Sequence, residues 1–300
     1  MRIMFDEARN NQLKSVVLLA LFIGLIGLLG AVLGLFYGSA YFGLALAVIF
    51  AIAYSAIVFN AGGSMILSMS GARPATRQEA PQLYNAIEGL ALAAGMPPPK
   101  AYIIDDSALN AFATGKDPKH ASVTVTSGLL KTMNRQELEG VIGHEMSHIK
   151  NYDVRFMMLT AVLVGVVVLL SDFLLRTFLW GGGRKRSEKE GGQLVLVMII
   201  LGFALAILTP LIGQLIQLAI SRKREYAADA SGAILTRYPP GLASALRKIA
   251  KDPDPLVDKA NKATAHLFIS TPFKNSKGFI TGLFATHPPI QERIKRLEEM

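Results

Sequence analysis

Two uncharged apolar runs near the start of the sequence limit what this chain can fold into. Residues 15–34 read SVVLLALFIGLIGLLGAVLG, and a second run extends from about Ala40 to Phe59 after the short break FYGS. Each run is about as long as the ~20 residues that a helix needs to cross a bilayer. The sequence therefore predicts a transmembrane hairpin within residues 1–62. A cleaved signal peptide is the alternative for the first run, although the apolar core of this run is longer than that of a signal peptide.

The composition supports a membrane protein. The chain is 51% hydrophobic with a mean hydropathy of +0.38, which is high for a soluble protein of 300 residues. Its net charge of +9 comes from basic residues that flank the apolar runs, so it indicates membrane flanks and not a nucleic-acid partner. Because the chain has no cysteine, any metal site must consist of His, Asp and Glu side chains.

Two later apolar runs predict a second hairpin over residues 156–221. The first runs from Phe156 to about Leu175, and the second from Leu194 to Ile220 with a break at Pro210. The charged, glycine-rich segment 181–192 connects them, and this composition favours a flexible loop.

Two segments of ordinary polarity, 63–155 and 222–300, remain for a folded part outside the bilayer. In the first segment, helical periodicity covers Arg77–Gly95, and AYIID, ALNAFATG and ASVTVTSG predict three short strands. In the second, SRKREYAADASGAIL and PPIQERIKRLEEM predict helices. The expected fold class is an α+β membrane protein, mainly α-helical, with a small β-sheet.

The segment GVIGHEMSHIKNYD, residues 140–153, carries the strongest chemical signal. Asn134 and Glu137 predict a capping box that starts a helix, and His144 and His148 then lie on one face of that helix. Two imidazoles at this spacing are typical ligands of one zinc ion, and Glu145 between them is placed to act as general base on a water molecule.

A third protein ligand is expected because catalytic zinc sites commonly have three. Glu225 is the candidate, and Asp229 lies one helical turn later, where it can accept a hydrogen bond from a ligand histidine. The alternative is a solvated acidic pair beside the basic residues 222–224. Two membrane spans separate His148 from Glu225 and return the chain to the same side, so the site is expected at the membrane surface.

His287 and Arg293 are the remaining candidate catalytic residues. One of them could stabilise the oxyanion of a tetrahedral intermediate or bind a substrate carboxylate. For His287, which precedes two prolines, a structural capping role is the alternative.

Several motifs together resemble the HtpX-type membrane zinc metalloproteases, which are relatives of the CAAX prenyl proteases. These motifs are HEMSH before a membrane hairpin, then EYAAD and THPPIQER, together with LNAFATG. The resemblance implies a zincin-like protease domain with one Zn²⁺ bound by His144, His148 and Glu225, and catalysis by Glu145. It also implies cleavage of misfolded or damaged membrane proteins in quality control.

The resemblance further suggests where an extended substrate pairs with the sheet. The candidate edge strand consists of Asn110, Ala111, Phe112, Ala113 and Thr114, and an ordinary half-buried strand is the alternative.

Basic residues near the spans predict a multi-pass protein of the plasma membrane with its protease part in the cytoplasm. Arg2, Arg9 and Lys14 precede the first span, and Lys150 and Arg155 precede the third. Five further basic residues between 176 and 189 conflict with this orientation, since it would export them.

Two other functional classes use the same His/Glu cluster. A metal transporter or sensor is one, although ionisable residues are scarce in the predicted spans. A non-catalytic scaffold is the other, and it would not need Glu145. The natural substrates and the oligomeric state do not follow from the sequence.

Overall fold

The computed structural model describes residues 2–35, 38–163, 165–166, 222–254, 267–269 and 288–300. Most of the predicted second hairpin, including the loop 181–192, lies outside the described residues, as does His287. The helices are α1 (Arg2–Gly34), α2 (Ala40–Met69), α3 (Pro81–Ala94), α4 (Ser127–Thr132), α5 (Arg135–Lys150), α6 (Arg222–Thr236), α7 (Pro239–Lys251) and α8 (Ile290–Glu298). The strands are β1 (Arg73–Pro74), β2 (Lys100–Ile104), β3 (Ala111–Gly115) and β4 (Ala121–Thr126). The predicted fold class is confirmed: the described part is mainly helical with one small sheet.

The helices α1 and α2 are long and apolar enough to cross a membrane. Their large exposed apolar side chains extend from Leu13 to Leu35 on the first arm of the hairpin and, apart from Met69 at the end of α2, from Tyr41 to Ile57 on the second. These stretches measure roughly 24 to 33 Å along a helix axis, close to the ~30 Å of a bilayer's hydrocarbon core. We call this exposed surface the apolar band.

The two helices pack closely because glycines face each other at their contact. A Cβ atom added at Gly43 would lie 2.2 Å from the carbonyl oxygen of Gly30 and 2.6 Å from the Cα atom of Gly34. Small residues four positions apart are a common way for membrane helices to bring their backbones together.

The sheet is mixed and has the strand order β1-β2-β4-β3. Strand β4 pairs parallel with β2 and antiparallel with β3, so β3 lies at one edge. Val123 and Val125 face a core that includes residues of α3 and α5. Phe112 and Ile104 face a second core that includes residues of α1, α2 and the helical residues 153–163. The sheet thus packs against the candidate metal helix with one face and against the membrane hairpin with the other.

Local sequence signals explain where the helices around the site begin and end. The helix α5 starts at the predicted capping box, in which Asn134 and Glu137 each accept a hydrogen bond from the other's backbone N–H. The helix α3 starts with Pro81 as its first residue and ends at Gly95, whose φ of 66° is left-handed. It is therefore shorter than the predicted Arg77–Gly95.

Candidate metal centre

Three buried side chains from two helices converge on one point. His144 and His148 come from α5, and Glu225 comes from the first turn of α6. The Nε2 atoms of the two histidines are 3.2 Å apart. Carboxylate oxygens of Glu225 lie 3.4 Å from Nε2 of His148 and 3.8 Å from Nε2 of His144. The candidate ligand atoms all lie within 4.8 Å of one another.

The outer nitrogen of each histidine contacts a second carboxylate. Nδ1 of His144 is 2.9 Å from Oδ1 of Asp229, and Nδ1 of His148 is 3.0 Å from Oδ2 of Asp153. An ionised carboxylate can only accept a hydrogen bond, so each Nδ1 carries a proton. In the neutral ring this leaves the lone pair on Nε2, which points to the shared centre.

The spacing of these atoms suits a divalent metal ion such as zinc. Two nitrogens bound at ~2.0–2.1 Å to one tetrahedral zinc ion are about 3.3 Å apart. The His144–His148 separation of 3.2 Å is close to this value. Two imidazoles and one carboxylate are also a ligand set that catalytic zinc sites use.

Electrostatics favour a cation at this point. Burial by itself lowers the pKa of His148, but the carboxylates of Asp153 and Glu225 outweigh burial and raise this pKa to about 10. Burial lowers the pKa of His144. The acidic groups around the histidines thus favour a positive charge at the centre.

Asp153 connects the centre to the start of the membrane hairpin. Its Oδ1 accepts a hydrogen bond from Nδ2 of Asn11 at 2.6 Å and lies 3.4 Å from Nη1 of Arg224. Nδ2 of Asn11 also donates to the carbonyl oxygen of Asn151 at 3.0 Å. Tyr152, which follows α5, has a left-handed φ of 58°. The chain turns at this residue, and Asp153, the next residue, contacts His148. Sequence reasoning missed Asp153, Asn11 and Arg224.

Arg293 lies in the site with 1% of its surface exposed. Its Nε and Nη2 donate to the two carboxylate oxygens of Asp229 at 2.8 and 2.7 Å, and Nη1 donates to the carbonyl oxygen of Ile269 at 3.1 Å. Nη1 is also 3.5 Å from a carboxylate oxygen of Glu225. Burial alone would raise the pKa of Asp229, but Arg293 and His144 lower it to about 2. Asp229 therefore stays ionised beside His144.

Glu145 is buried on the same helix as the two histidines. Burial raises the pKa of its carboxyl group to about 7, while the positive charge of His148 and, to a smaller extent, the nearby backbone N–H of Ala113 act in the opposite direction. Glu145 is thus close to β3, the candidate substrate strand.

The helices that carry the ligands meet at two glycines. A Cβ atom added at Gly232 of α6 would lie 2.8 Å from the backbone nitrogen of His144, and one added at Gly143 would lie 3.2 Å from the carbonyl oxygen of Gly232. This close backbone contact brings Glu225 of α6 within reach of the histidines of α5.

The structure thus brings together most of the residues that the sequence singled out. His144, Glu145, His148, Glu225, Asp229 and Arg293 lie around one centre, and β3 is an edge strand next to it. The segment Leu267–Ile269 also reaches this strand, because the N–H of Ile269 donates to the carbonyl oxygen of Ala111 at 2.9 Å.

A buried HExxH helix with a glutamate from a second helix, beside the edge of a small sheet, is the arrangement of a metalloprotease. The sequence profile of peptidase family M48 matches residues 77–300. The chain belongs to this family, and it is a membrane-associated metalloprotease.

Curated relatives extend the similarity to nearly the whole chain. The protease HtpX homolog of Tropheryma whipplei (strain Twist) is 44% identical over 297 residues, which cover 99% of this chain and 98% of the relative. The homolog of Ligilactobacillus salivarius is 42% identical over 298 residues, covering 99% of this chain and all of the relative. That of Dictyoglomus turgidum is 52% identical over 242 residues, covering 81% of this chain and 77% of the relative. The resemblance to HtpX-type proteases is therefore confirmed.

The crystal structure of Ste24p from S. mikatae has a similar fold. Its TM-score is 0.53 at 19% sequence identity, and the match covers 98% of this chain and 67% of Ste24p. This likeness concerns the fold alone.

Proposed function

We propose that the protein is an integral membrane zinc endopeptidase that cleaves misfolded or damaged membrane proteins at the cytoplasmic face, with Glu145 as general base. The observation that carries the proposal is the position of Glu145. Its buried carboxylate lies between the two histidines in sequence and is near the backbone N–H of Ala113 on the edge strand. A substrate that pairs with this strand would have its scissile bond next to both the base and the ligands.

His144, His148 and Glu225 would hold the zinc ion, while Asp229 and Asp153 orient the two imidazoles. A bound zinc ion supplies Lewis-acid chemistry: it lowers the pKa of a water molecule to about 7 and polarises a carbonyl group. Two histidines and one carboxylate leave a coordination position for that water.

Glu145 would move the proton during hydrolysis. A pKa of about 7 allows the carboxylate to accept a proton from the attacking water and to return it to the leaving amine. The water oxygen bonds to the carbonyl carbon, the C–N bond breaks, and the amine leaves with the proton. Arg293 is held by Asp229 and Ile269, which favours a positioning role in the metal centre over free movement towards a substrate. An oxyanion role for His287 or Arg293 stays a prediction.

The substrate would bind as an added strand beside the predicted segment Asn110–Thr114, most of which belongs to β3. Among the described residues, the outer edge of β3 is approached by Ile269, which donates to Ala111, and by Glu145 near Ala113. An added strand therefore has to begin beyond Ala111 or displace the segment 267–269. Hydrogen bonds between backbones would give affinity with little dependence on sequence, which suits the removal of damaged proteins.

The membrane setting supports membrane proteins as substrates. Asn11, which contacts Asp153 of the metal centre, lies two residues before Leu13, where the apolar band begins. The centre is thus next to the predicted bilayer surface, where it can reach segments that leave the bilayer. The basic residues Arg9, Lys14 and Lys150 near this end favour its location on the cytoplasmic side.

Hydrolysis of casein by the purified full chain tests the proposal. We expect hydrolysis that a chelator abolishes and zinc restores, and we expect Glu145→Gln to bind zinc with unchanged stoichiometry while losing activity by about 10²- to 10⁴-fold. His148→Ala should lose both zinc and activity. Full activity of either variant would refute the assignment.

A reporter fused at Gly182 tests the topology, since a cytoplasmic signal there contradicts four complete spans.

A further inference from the structure

A pocket of about 200 Å³ lies between α2 and the face of the sheet that is directed towards the membrane hairpin. One wall is the α2 segment from Phe59 to Leu67, and the other includes Tyr102, Thr114 and Ser122 from three strands. None of the three candidate metal ligands lines it. We call it the hairpin pocket.

The lining of the hairpin pocket is basic. Lys100, Lys116 and Lys119 belong to it, and among its described residues there is no Asp or Glu. Lys116 donates to Oδ1 of Asn60 at 2.8 Å, so its ammonium group is held at the α2 wall. His120 also lines the pocket, but its ring is bound by Asp117 at 2.8 Å. The lysines therefore create a positive potential that favours an anion.

One buried hydroxyl group in the pocket has no hydrogen-bond partner among the described residues. Oγ1 of Thr114, a residue that lines the pocket, is buried and has no partner in the part of the chain that the structure describes. It faces α2, because a Cβ atom added at Gly63 would lie 3.8 Å from it. Buried polar groups nearly always have a partner, so an unpaired hydroxyl in a pocket indicates a place for a ligand or water.

The position of the pocket along α2 indicates that the anion is a lipid headgroup. The exposed apolar side chains of the band end at Ile57, and the pocket wall begins at Phe59. The wall from Phe59 to Gly63 lies about 3 to 9 Å further along the helix axis, a range that includes the ~5–7 Å of headgroups beyond the hydrocarbon. The guanidinium group of Arg155 stacks on Phe59 with its carbon 5.4 Å from the ring centroid, adding a further cation at this level.

We propose that the hairpin pocket binds the phosphodiester headgroup of an anionic phospholipid. The lysines pair with the phosphate oxygens, and the hydroxyl of Thr114 donates to one of them. The lipid then joins α2 to the end of β3, the strand whose Ala113 contacts Glu145. The inference depends on the membrane setting and not on the protease mechanism, so it can fail or hold independently of the proposed function.

The test measures binding of short-chain phosphatidylglycerol to the full chain in neutral detergent by native mass spectrometry. The variant Lys100→Ala/Lys119→Ala removes two exposed lysines of the pocket, so it should fold normally. We expect its affinity for phosphatidylglycerol to fall by about 30-fold, since each basic residue near anionic lipid increases the affinity by about fivefold. The matched control, Lys131→Ala/Lys251→Ala, removes two exposed lysines that do not line the pocket, and it should bind as the unchanged chain does.

A second variant tests the buried hydroxyl group. Thr114→Val keeps the shape of the side chain and removes its unpaired oxygen, so we expect weaker binding of phosphatidylglycerol without loss of folding. Phosphatidylcholine should bind at least several-fold more weakly than phosphatidylglycerol, and inorganic phosphate should compete only weakly.

Three outcomes would overturn the proposal. An equal loss of affinity in both lysine doubles would show a general effect of charge. Equal binding of the two lipids, unaffected by Lys100→Ala/Lys119→Ala, would show attachment by the acyl chains alone. Tight binding of inorganic phosphate with no binding of lipid would show a site for a soluble anion.

Discussion

Asn11 and Asp153 form a hydrogen bond of 2.6 Å between the start of the membrane hairpin and the metal centre. Asp153 in turn accepts from Nδ1 of His148 at 3.0 Å. A residue of α1 is thus only one side chain away from a candidate metal ligand, and both of these polar groups are buried. The helix α1 therefore contributes to the hydrogen bonds that surround the metal centre.

We expect Asn11→Ala to weaken zinc binding. Without the amide group, Asp153 loses its partner on α1 and holds His148 less firmly, and loss of such outer hydrogen bonds typically costs 10- to 100-fold in metal affinity. Competition with a chelating dye would measure the affinity. Asn10→Ala is the matched control, because the neighbouring Asn10 is exposed. Equal zinc affinity of the two variants would contradict a role for Asn11.

The contact between α5 and α6 should be intolerant of a single methyl group. Gly232→Ala would place Cβ 2.8 Å from the nitrogen of His144 and 3.0 Å from the carbonyl carbon of Gly143. The helix α6 has to move away and carry Glu225 with it, so we expect lower stability and weaker zinc binding together. The thermal unfolding midpoint and the zinc affinity of the full chain would show both effects.

Gly89→Ala provides the comparison for the previous variant. Gly89 lies within a helix with nothing within 4 Å of an added Cβ atom. Alanine there should stabilise α3 by about 0.5–1 kcal/mol because it restricts the unfolded backbone. Loss of zinc binding in this variant as well would mean that the close contact at Gly232 is not the cause.

Local signals in the sequence predicted much of the fold and the ligand set. The capping box at Asn134 and Glu137 and the short strands rich in β-branched and aromatic residues were predicted correctly because these patterns lie within a few residues. The helix α7 was missed, because its first residues, Pro239 and Pro240, resemble a loop although prolines also start helices. The strand β1 has two residues, too few for any periodicity.

The hydrogen bond from Asn11 to Asp153 could not have been predicted from such patterns. The two residues are 142 positions apart, and a polar residue at the start of an apolar helix is ordinarily solvated. Of these two residues, only Asp153 could have been predicted to contact a ligand, because it is an acidic residue five positions after His148. Burial of Arg293 was equally hidden, since QERIKR in the sequence resembles a solvated helix face.

Arg293 and Asp229 should behave as a coupled pair. Arg293→Met leaves the carboxylate of Asp229 buried without its cation, and breaking such a pair costs about 3–5 kcal/mol. Adding Asp229→Asn removes that charge, so the double variant should be less destabilised than the sum of the two single variants. Unfolding of the four metal-free proteins in denaturant would measure the coupling. Strict additivity would show that the two side chains act independently.

Glu137 should make stability depend on pH in the acid range. Burial by itself raises the pKa of its carboxyl group, but hydrogen bonds from Lys248, Ser244 and the backbone of Asn134 outweigh it and lower the pKa overall. The ionised form therefore stabilises the fold above the unfolded pKa of about 4.3, and this stability is lost as pH falls through the lower folded value.

Glu137→Gln should unfold at a lower temperature near pH 7 and differ less from the unchanged chain in acid. Glu139→Gln, which alters a surface pair with Arg135, should show almost no difference at either pH. Thermal scans of the metal-free protein would distinguish the two variants. If Glu137→Gln lowered the unfolding midpoint equally at both pH values, the contact between α5 and α7 would depend on the shape of Glu137 and not on its charge.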